Sequence, residues 1–194
     1  FDHLKAYLLE GYVSDRGVKD KLEMKEEVEL DGKFVEKTVS LAFKGKAIVV
    51  NLDLPPPGKK MSAQNPLFHF LDNNGRPWAK RCDYVVFQCS GNSLKAYCFE
   101  FKSRGINGDG IRDQLKAGAA WCRALHATIK HYTGQSRQIS LTKYILTLRD
   151  NPEPYLCADN KYLNADHSVR LYKYDDLSGL SLEDLDNNQI ELIR

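Results

Sequence analysis

Three side chains near the middle of the chain, Asp83, Glu100 and Lys102, are of the types that metal-dependent phosphodiester hydrolysis uses. Two carboxylates a few ångströms apart repel each other, and a hard cation such as Mg²⁺ or Mn²⁺ relieves that repulsion through oxygen ligands. A lysine ammonium beside them can orient an attacking water, help deprotonate it, or stabilise a pentavalent phosphate.

The elements that must bring them together are legible in CDYVVFQCSGNSLKAYCFEFK, residues 82–102. Tyr84, Val85, Val86 and Phe87 form an apolar, β-branched or aromatic run. After it, Tyr97, Phe99 and Phe101 alternate with Cys98, Glu100 and Lys102, the period of a strand. A two-residue turn at Gly91-Asn92 suits the positive φ that tight hairpins need. That turn sets Asp83 opposite Glu100, with Lys102 one cross-strand step away. The plainer expectation for the same residues is an edge hairpin with a surface ion pair, worth about 0–1 kcal/mol.

Asp83, sixteen intervening residues and then Glu100-Phe101-Lys102 resemble the PD-(D/E)XK nuclease superfamily, which includes many restriction-type endonucleases and junction resolvases. Cys82 stands where the family's nominal proline would be. A second E-x-K, Glu23-Met24-Lys25, lies in the charge-dense run KDKLEMKEEVE and reads as a solvated face. The resemblance implies an α/β fold, a restriction-endonuclease-like mixed β-sheet core flanked by helices, here with an N-terminal helical and β-hairpin elaboration. It implies that Asp83, Glu100 and the Phe101 backbone carbonyl hold Mg²⁺ or Mn²⁺, and that Lys102 positions or activates water. It further implies an acidic metal ligand from an N-terminal helix, Glu10 first and Glu26 second. Some branches carry a glutamine on the helix that follows, and Gln114 matches it, although Gly118 replaces the tyrosine expected four residues later. DNA is the implied substrate, and restriction, repair or phage defence the implied setting.

At 194 residues the chain is long enough for one domain with a full core. Residues 1–60 read as the N-terminal elaboration, about 65–150 as the catalytic core, and 151–194 as a C-terminal strand and helix. Hydrophobic content of 42% and charged content of 28% are those of a globular protein. A net charge of +2 is compatible with nucleic-acid binding, because metal-site carboxylates offset basic residues. Five cysteines, an odd number, read as reduced thiols of an intracellular, cytoplasmic protein. No stretch approaches the roughly 20 apolar residues of a membrane span. A start at Phe1 rather than methionine is expected of a trimmed chain or a part of a longer one.

In chain order, Leu4, Tyr7 and Leu8 predict a helix over Asp2–Gly11 with Asp2 as N-cap, and the charged segment Asp15–Glu29 continues the helical region. Val35–Phe43 and Ala47–Leu52 read as β-runs turning at Lys44-Gly45-Lys46. Pro55–Lys60 reads as a stiff surface loop. Leu67–Leu71 and Pro77–Arg81 suggest a hairpin about Asp72–Gly75. The glycine-rich loop 103–110 lies beside the candidate site, so Arg104 and Arg112, with Lys80, are candidates for phosphate contacts. A long helix from about Gly110 to Tyr132, capped by Asp109, carries the stripe Ile111, Leu115, Gly118, Cys122, Leu125 and Ile129. Its small residues 117–120 allow close packing on a sheet. Ile139–Leu148 then predicts a strand parallel to that of Glu100; Val169–Tyr174 a last strand; and Ser181–Leu185 a short helix with a Ser181/Asp184 capping box.

Zinc and cysteine–histidine chemistry fit poorly: no C-x₂-C occurs, and His131 falls opposite Cys122 on the helix. Two readings of other classes remain. One is a catalytically silent member of the same fold, serving as a nucleic-acid-binding or assembly subunit; the other is an interaction module docking a protein partner through its hairpins and N-terminal arm. A core of this size leaves elaborate target recognition to a homodimer or a partner subunit.

Overall fold

The computed structural model describes residues 1–14, 20–30, 32–54, 71–72, 74–103 and 105–194, without the side chains of Glu10, Ser14 and Leu30. The protein is a mixed α/β chain whose core is mostly sheet. Alternating residues that are apolar on both faces give the hairpin β5 (Tyr84–Ser90) and β6 (Ser93–Lys102). Its antiparallel register runs from Ser90↔Ser93 to Tyr84↔Phe99, as the Gly91-Asn92 turn predicts. Only Gly91 of the two turn residues has a positive φ, at 56°, the arrangement with glycine at the first central position.

The helix α2 (Gly108–Thr133) leads from β6 into β7 (Ile139–Thr147), which pairs parallel to β6. Asn107 caps α2 by accepting from the Gly110 N–H at 3.2 Å. Asp109, the expected cap, lies one residue inside the helix: the loop ends earlier than its glycines suggest. On the outer side of β5 lie β4 (Lys46–Asn51) and the short β1 (Val13–Ser14); beyond β7 lie β9 (Asp166–Lys173), parallel to it, and β8 (Tyr162–Leu163). Among the described residues these strands, with β10 (Glu191–Ile193) paired to β7, make one eight-stranded sheet. The short strands β1, β8 and β10 carry too few residues to show a period. The Ser181/Asp184 capping box is present, on a single 3₁₀ turn, Leu182–Asp184.

The segment expected to continue a helix is instead a strand. From Lys21 to Leu30, β2 pairs antiparallel with β3 (Lys33–Ala42) in a separate two-stranded ribbon. Leu22 and Met24 of β2, with Val39 and Leu41 of β3, are buried. KLEMKEEVEL is thus a period-2 pattern diluted by charge: Met24 is wholly buried, while Glu23 and Lys25 lie partly exposed on the other face of the strand. Each such apolar side chain contributes about 1.5–3 kcal/mol on burial. The exposed Lys25–Glu36 pair (2.6 Å) adds about 0–1 kcal/mol, so the apolar face and not the charge fixes the ribbon. Two further expectations are corrected. The first helix, α1, stops at Tyr7, begins after Phe1 rather than Asp2, and gives way to a 3₁₀ turn, Glu10–Tyr12. Pro77–Ala79 is one 3₁₀ turn, not a strand arm, consistent with a proline at its first position. Pro55–Lys60 and most of the proposed hairpin's first arm, residues 67–70, lie outside the described residues.

The layers follow from the two faces of β5 and β6. Val85, Phe87, Ala96 and Cys98 pack with Ile111, Leu115, Ala119 and Cys122 of α2. Tyr84, Val86, Tyr97 and Phe99 pack with the ribbon and with Leu177, Leu182 and Leu185. Gly118 lets α2 lie close: a Cβ there would sit 2.3 Å from Cys82 Sγ. Among the described residues no helix is long and apolar enough to cross a membrane.

Candidate active site

The strand ends decide where the carboxylates meet. β6 runs outward to Lys102, β5 starts beside that end, and β4, antiparallel to β5, finishes there too. Asp83 lies in a bend one residue before β5. The predicted register therefore carries Asp83 to Glu100, but the two carboxylates are held in different ways. Asp83 Oδ2 accepts a hydrogen bond from the Phe101 backbone N–H at 2.6 Å. Glu100, completely buried, has its Oε1 bonded by the Lys102 ammonium, whose side chain keeps a quarter of its surface in solvent. The other oxygen, Glu100 Oε2, is buried with no hydrogen-bond partner.

The ribbon supplies a third carboxylate. The Tyr84 hydroxyl accepts from the Lys25 N–H at 3.1 Å and donates to the Lys25 carbonyl at 2.6 Å, fastening β2 to the end of β5. The next residue, Glu26, is half-buried and lies within the field of Asp83, Asp53 and Lys102. Glu26, the second of the two N-terminal acids expected to complete the site, is thus close to it. The Glu10 backbone lies in the 3₁₀ turn before β1, and its side chain is outside the described residues.

Burial dominates the electrostatics. It pushes the Glu100 carboxyl up to about 8, with Asp83 adding repulsion and Lys102 opposing. Asp83 rises to about 6 for the same first reason, against the Phe101 N–H and Lys102. Glu26 rises to about 7 through burial and then through Asp83 and Asp53. Burial also works against the Lys102 charge, but Glu100, Asp83 and Glu26 outweigh it and hold the ammonium above its ordinary value. Glu100, Glu26 and Asp83 thus each hold a proton more tightly than an ordinary carboxyl does.

Two members are visible only in three dimensions. Asp53 follows the end of β4 and pairs with Arg81 at 2.8 Å. Tyr174, just after β9, sets its ring edge-on to Phe101 at 5.5 Å between centroids, and its hydroxyl is buried without a hydrogen-bond partner. The antiparallel β4–β5 pairing could have located Asp53; nothing in the sequence singles out Tyr174.

The remaining candidates lie on or against α2. Gln114 is half-buried in its second turn and makes no side-chain bond to Asp83, Glu100 or Lys102. Lys80 binds Asp113 at 2.9 Å, and Arg112 binds Asp109 at 2.7 Å and Asp113 at 3.2 Å. The charges of both cations are therefore largely offset within the protein. Arg104 lies outside the described residues.

Compared with protein-family models, with curated proteins and with solved structures, the chain matches none. Among the described residues no three His, Cys, Asp or Glu side chains converge closely enough to hold an ion between them. The oxygens on hand are nonetheless hard donors. Glu100 Oε2 in particular is a buried acceptor with nothing to accept from, which suits an oxygen-seeking divalent cation.

Proposed function

We propose that the chain is a divalent-cation-dependent nuclease of the PD-(D/E)XK type, with DNA as its first candidate substrate. The observation that carries this reading is the buried Glu100 carboxylate, one oxygen on Lys102 and the other unpartnered. A surface ion pair would not be built this way, since a half-satisfied buried carboxylate costs free energy that a structural role does not return. Asp83, Glu100 and the Phe101 carbonyl would hold Mg²⁺ or Mn²⁺, with Glu26 beside them. The bound cation would offset the phosphate charge and ease ionisation of water.

The chain's own residues do the rest. Lys102, whose side chain is partly exposed yet tied to a buried partner, would hold the attacking water in line. Asp83, fixed by the Phe101 N–H, has its second oxygen left to share the cation. Gln114 would support the nucleophile or the substrate from α2.

The test is to incubate the protein with plasmid, linear duplex, single-stranded DNA and RNA in Mg²⁺, Mn²⁺ or EDTA, beside Lys102→Ala. Metal-dependent cutting that the variant loses supports the reading and names the substrate. Equal, metal-insensitive background from both proteins overturns it. The internal offsetting of Lys80 and Arg112 by Asp109 and Asp113 favours, in that event, a module that docks a protein partner over a nucleic-acid-binding subunit.

A further inference from the structure

We propose that Tyr174 is a further catalytic residue of this site, its hydroxyl donating a hydrogen bond to a non-bridging oxygen of the scissile phosphodiester. The inference rests on the nuclease reading above and extends it to a residue that no motif marks.

Among the described residues three buried side-chain polar atoms lack a hydrogen-bond partner: Arg170 Nε, Glu100 Oε2 and the Tyr174 hydroxyl. Two of the three therefore gather at one end of β6. A tyrosine hydroxyl buried without a partner is costly, and tyrosines placed for packing alone normally find one. Tyr84 shows the contrast. It packs edge-on to the same Phe101 ring, also at 5.5 Å, and spends its hydroxyl on both the N–H and the carbonyl of Lys25. Tyr174 is just as firmly placed, its ring on Phe101 and its N–H on the Thr147 carbonyl at 3.1 Å. Its hydroxyl alone has no partner.

The chemistry selects an acceptor that brings negative charge. A tyrosine hydroxyl is un-ionised near neutrality, so it serves an anion as a donor. Asp83 accepts from the Phe101 N–H and Glu100 Oε1 from Lys102, while Glu100 Oε2 and the Tyr174 hydroxyl are not bonded to each other. In the hydrolysis, the water oxygen bonds to phosphorus as the ester P–O bond breaks. One water proton ends on the leaving alkoxide; the other stays on the new phosphomonoester until it ionises. Charge on the non-bridging oxygens is greatest as the fifth bond forms, and a fixed neutral donor is most useful there because it needs no reorganisation.

The experiment compares wild type with Tyr174→Phe, which keeps the ring on Phe101. It measures kcat and KM with Mn²⁺ and the best substrate, Mn²⁺ binding by calorimetry, and Tm. The expected result is a kcat lower by about 10²-fold, with Mn²⁺ affinity unchanged and Tm equal or higher. A purely structural hydroxyl would instead lower Tm and leave kcat of the folded protein intact; kcat within about twofold of wild type overturns the assignment while the nuclease reading stands. A wild type that cuts none of the substrates removes both.

Discussion

Lys102 reaches back along its own strand to bind Glu100 Oε1, and in doing so leaves Glu100 Oε2 buried and unanswered. The pair is two residues apart on β6, so their geometry depends on the strand and hardly on distant packing. Glu100→Gln keeps the shape and removes the charge. It is expected to weaken Mn²⁺ binding by about tenfold or more, as loss of a metal ligand does, without lowering the Tm of the metal-free protein. Calorimetric titration with Mn²⁺ and a thermal melt in EDTA check both halves. An unchanged affinity would remove Glu100 from the metal site.

The same burial sets a pH dependence whose sign is fixed. Glu100, Glu26 and Asp83 all bind protons more tightly folded than unfolded, at about 8, about 7 and about 6. The folded state therefore holds more protons than the unfolded state between the ordinary carboxyl range and about pH 8. Stability should be greatest below that window and fall as pH rises through it. Urea midpoints in EDTA at acid, neutral and mildly alkaline pH test this, and Glu100→Gln should flatten the slope. Saturating Mn²⁺ should reverse the trend, because cation binding favours the deprotonated carboxylates.

Gly118 offers a test of the fold alone. An alanine inside an exposed helix normally gains up to about 1 kcal/mol over glycine. Here the new Cβ would lie 2.3 Å from Cys82 Sγ, in a fully buried layer, and overpacking of this kind costs about 1–3 kcal/mol. Gly118→Ala should be destabilising by chemical denaturation, and Cys82→Ala in the same chain should recover most of the loss. A stabilised single variant would mean that α2 does not press on Cys82.

Tyr84 ties the ribbon to the site through Lys25, with Glu26 next in line. Tyr84→Phe forfeits two hydrogen bonds and leaves the Lys25 backbone less satisfied, a cost of about 1–3 kcal/mol. Faster amide exchange in β2 and a several-fold weaker Mn²⁺ affinity are expected together. Exchange without any change in affinity would separate Glu26 from the metal site.

Much of this was legible in the sequence where one local rule decided the matter. Gly91-Asn92 fixed the hairpin register, and the long stripe from Ile111 to Ile129 fixed α2 and hence the parallel placement of β7. The site was legible as far as Asp83, Glu100 and Lys102, because turn and period brought them to one end. What the sequence hid came from packing across layers. Charges between Leu22, Met24 and Val28 masked a strand, since a strand with one solvated face tolerates lysine and glutamate there. Asp53 and Tyr174 join the site through strand pairing and ring contacts far apart in sequence, and no local spacing announces either. Asn107 took the cap from Asp109 because a side chain just before the first helical residue reaches the free N–H groups, and one inside the helix does not.

The two-layered origin of the carboxylates bears on the order of assembly. The β2–β3 ribbon pairs neighbours in the chain, from Leu30↔Lys33 outward to Lys21↔Ala42, and needs little loop closure to form. The parallel β6–β7 pair must wait for the whole of α2 to be laid between its strands, a slower event for a growing chain. Glu26 and Glu100 thus ripen on separate clocks, and the last step to complete the site is the docking of one finished piece on another. On the proposed reading, the carboxylates of the two layers come together only when the ribbon docks on the sheet through Tyr84 and Lys25.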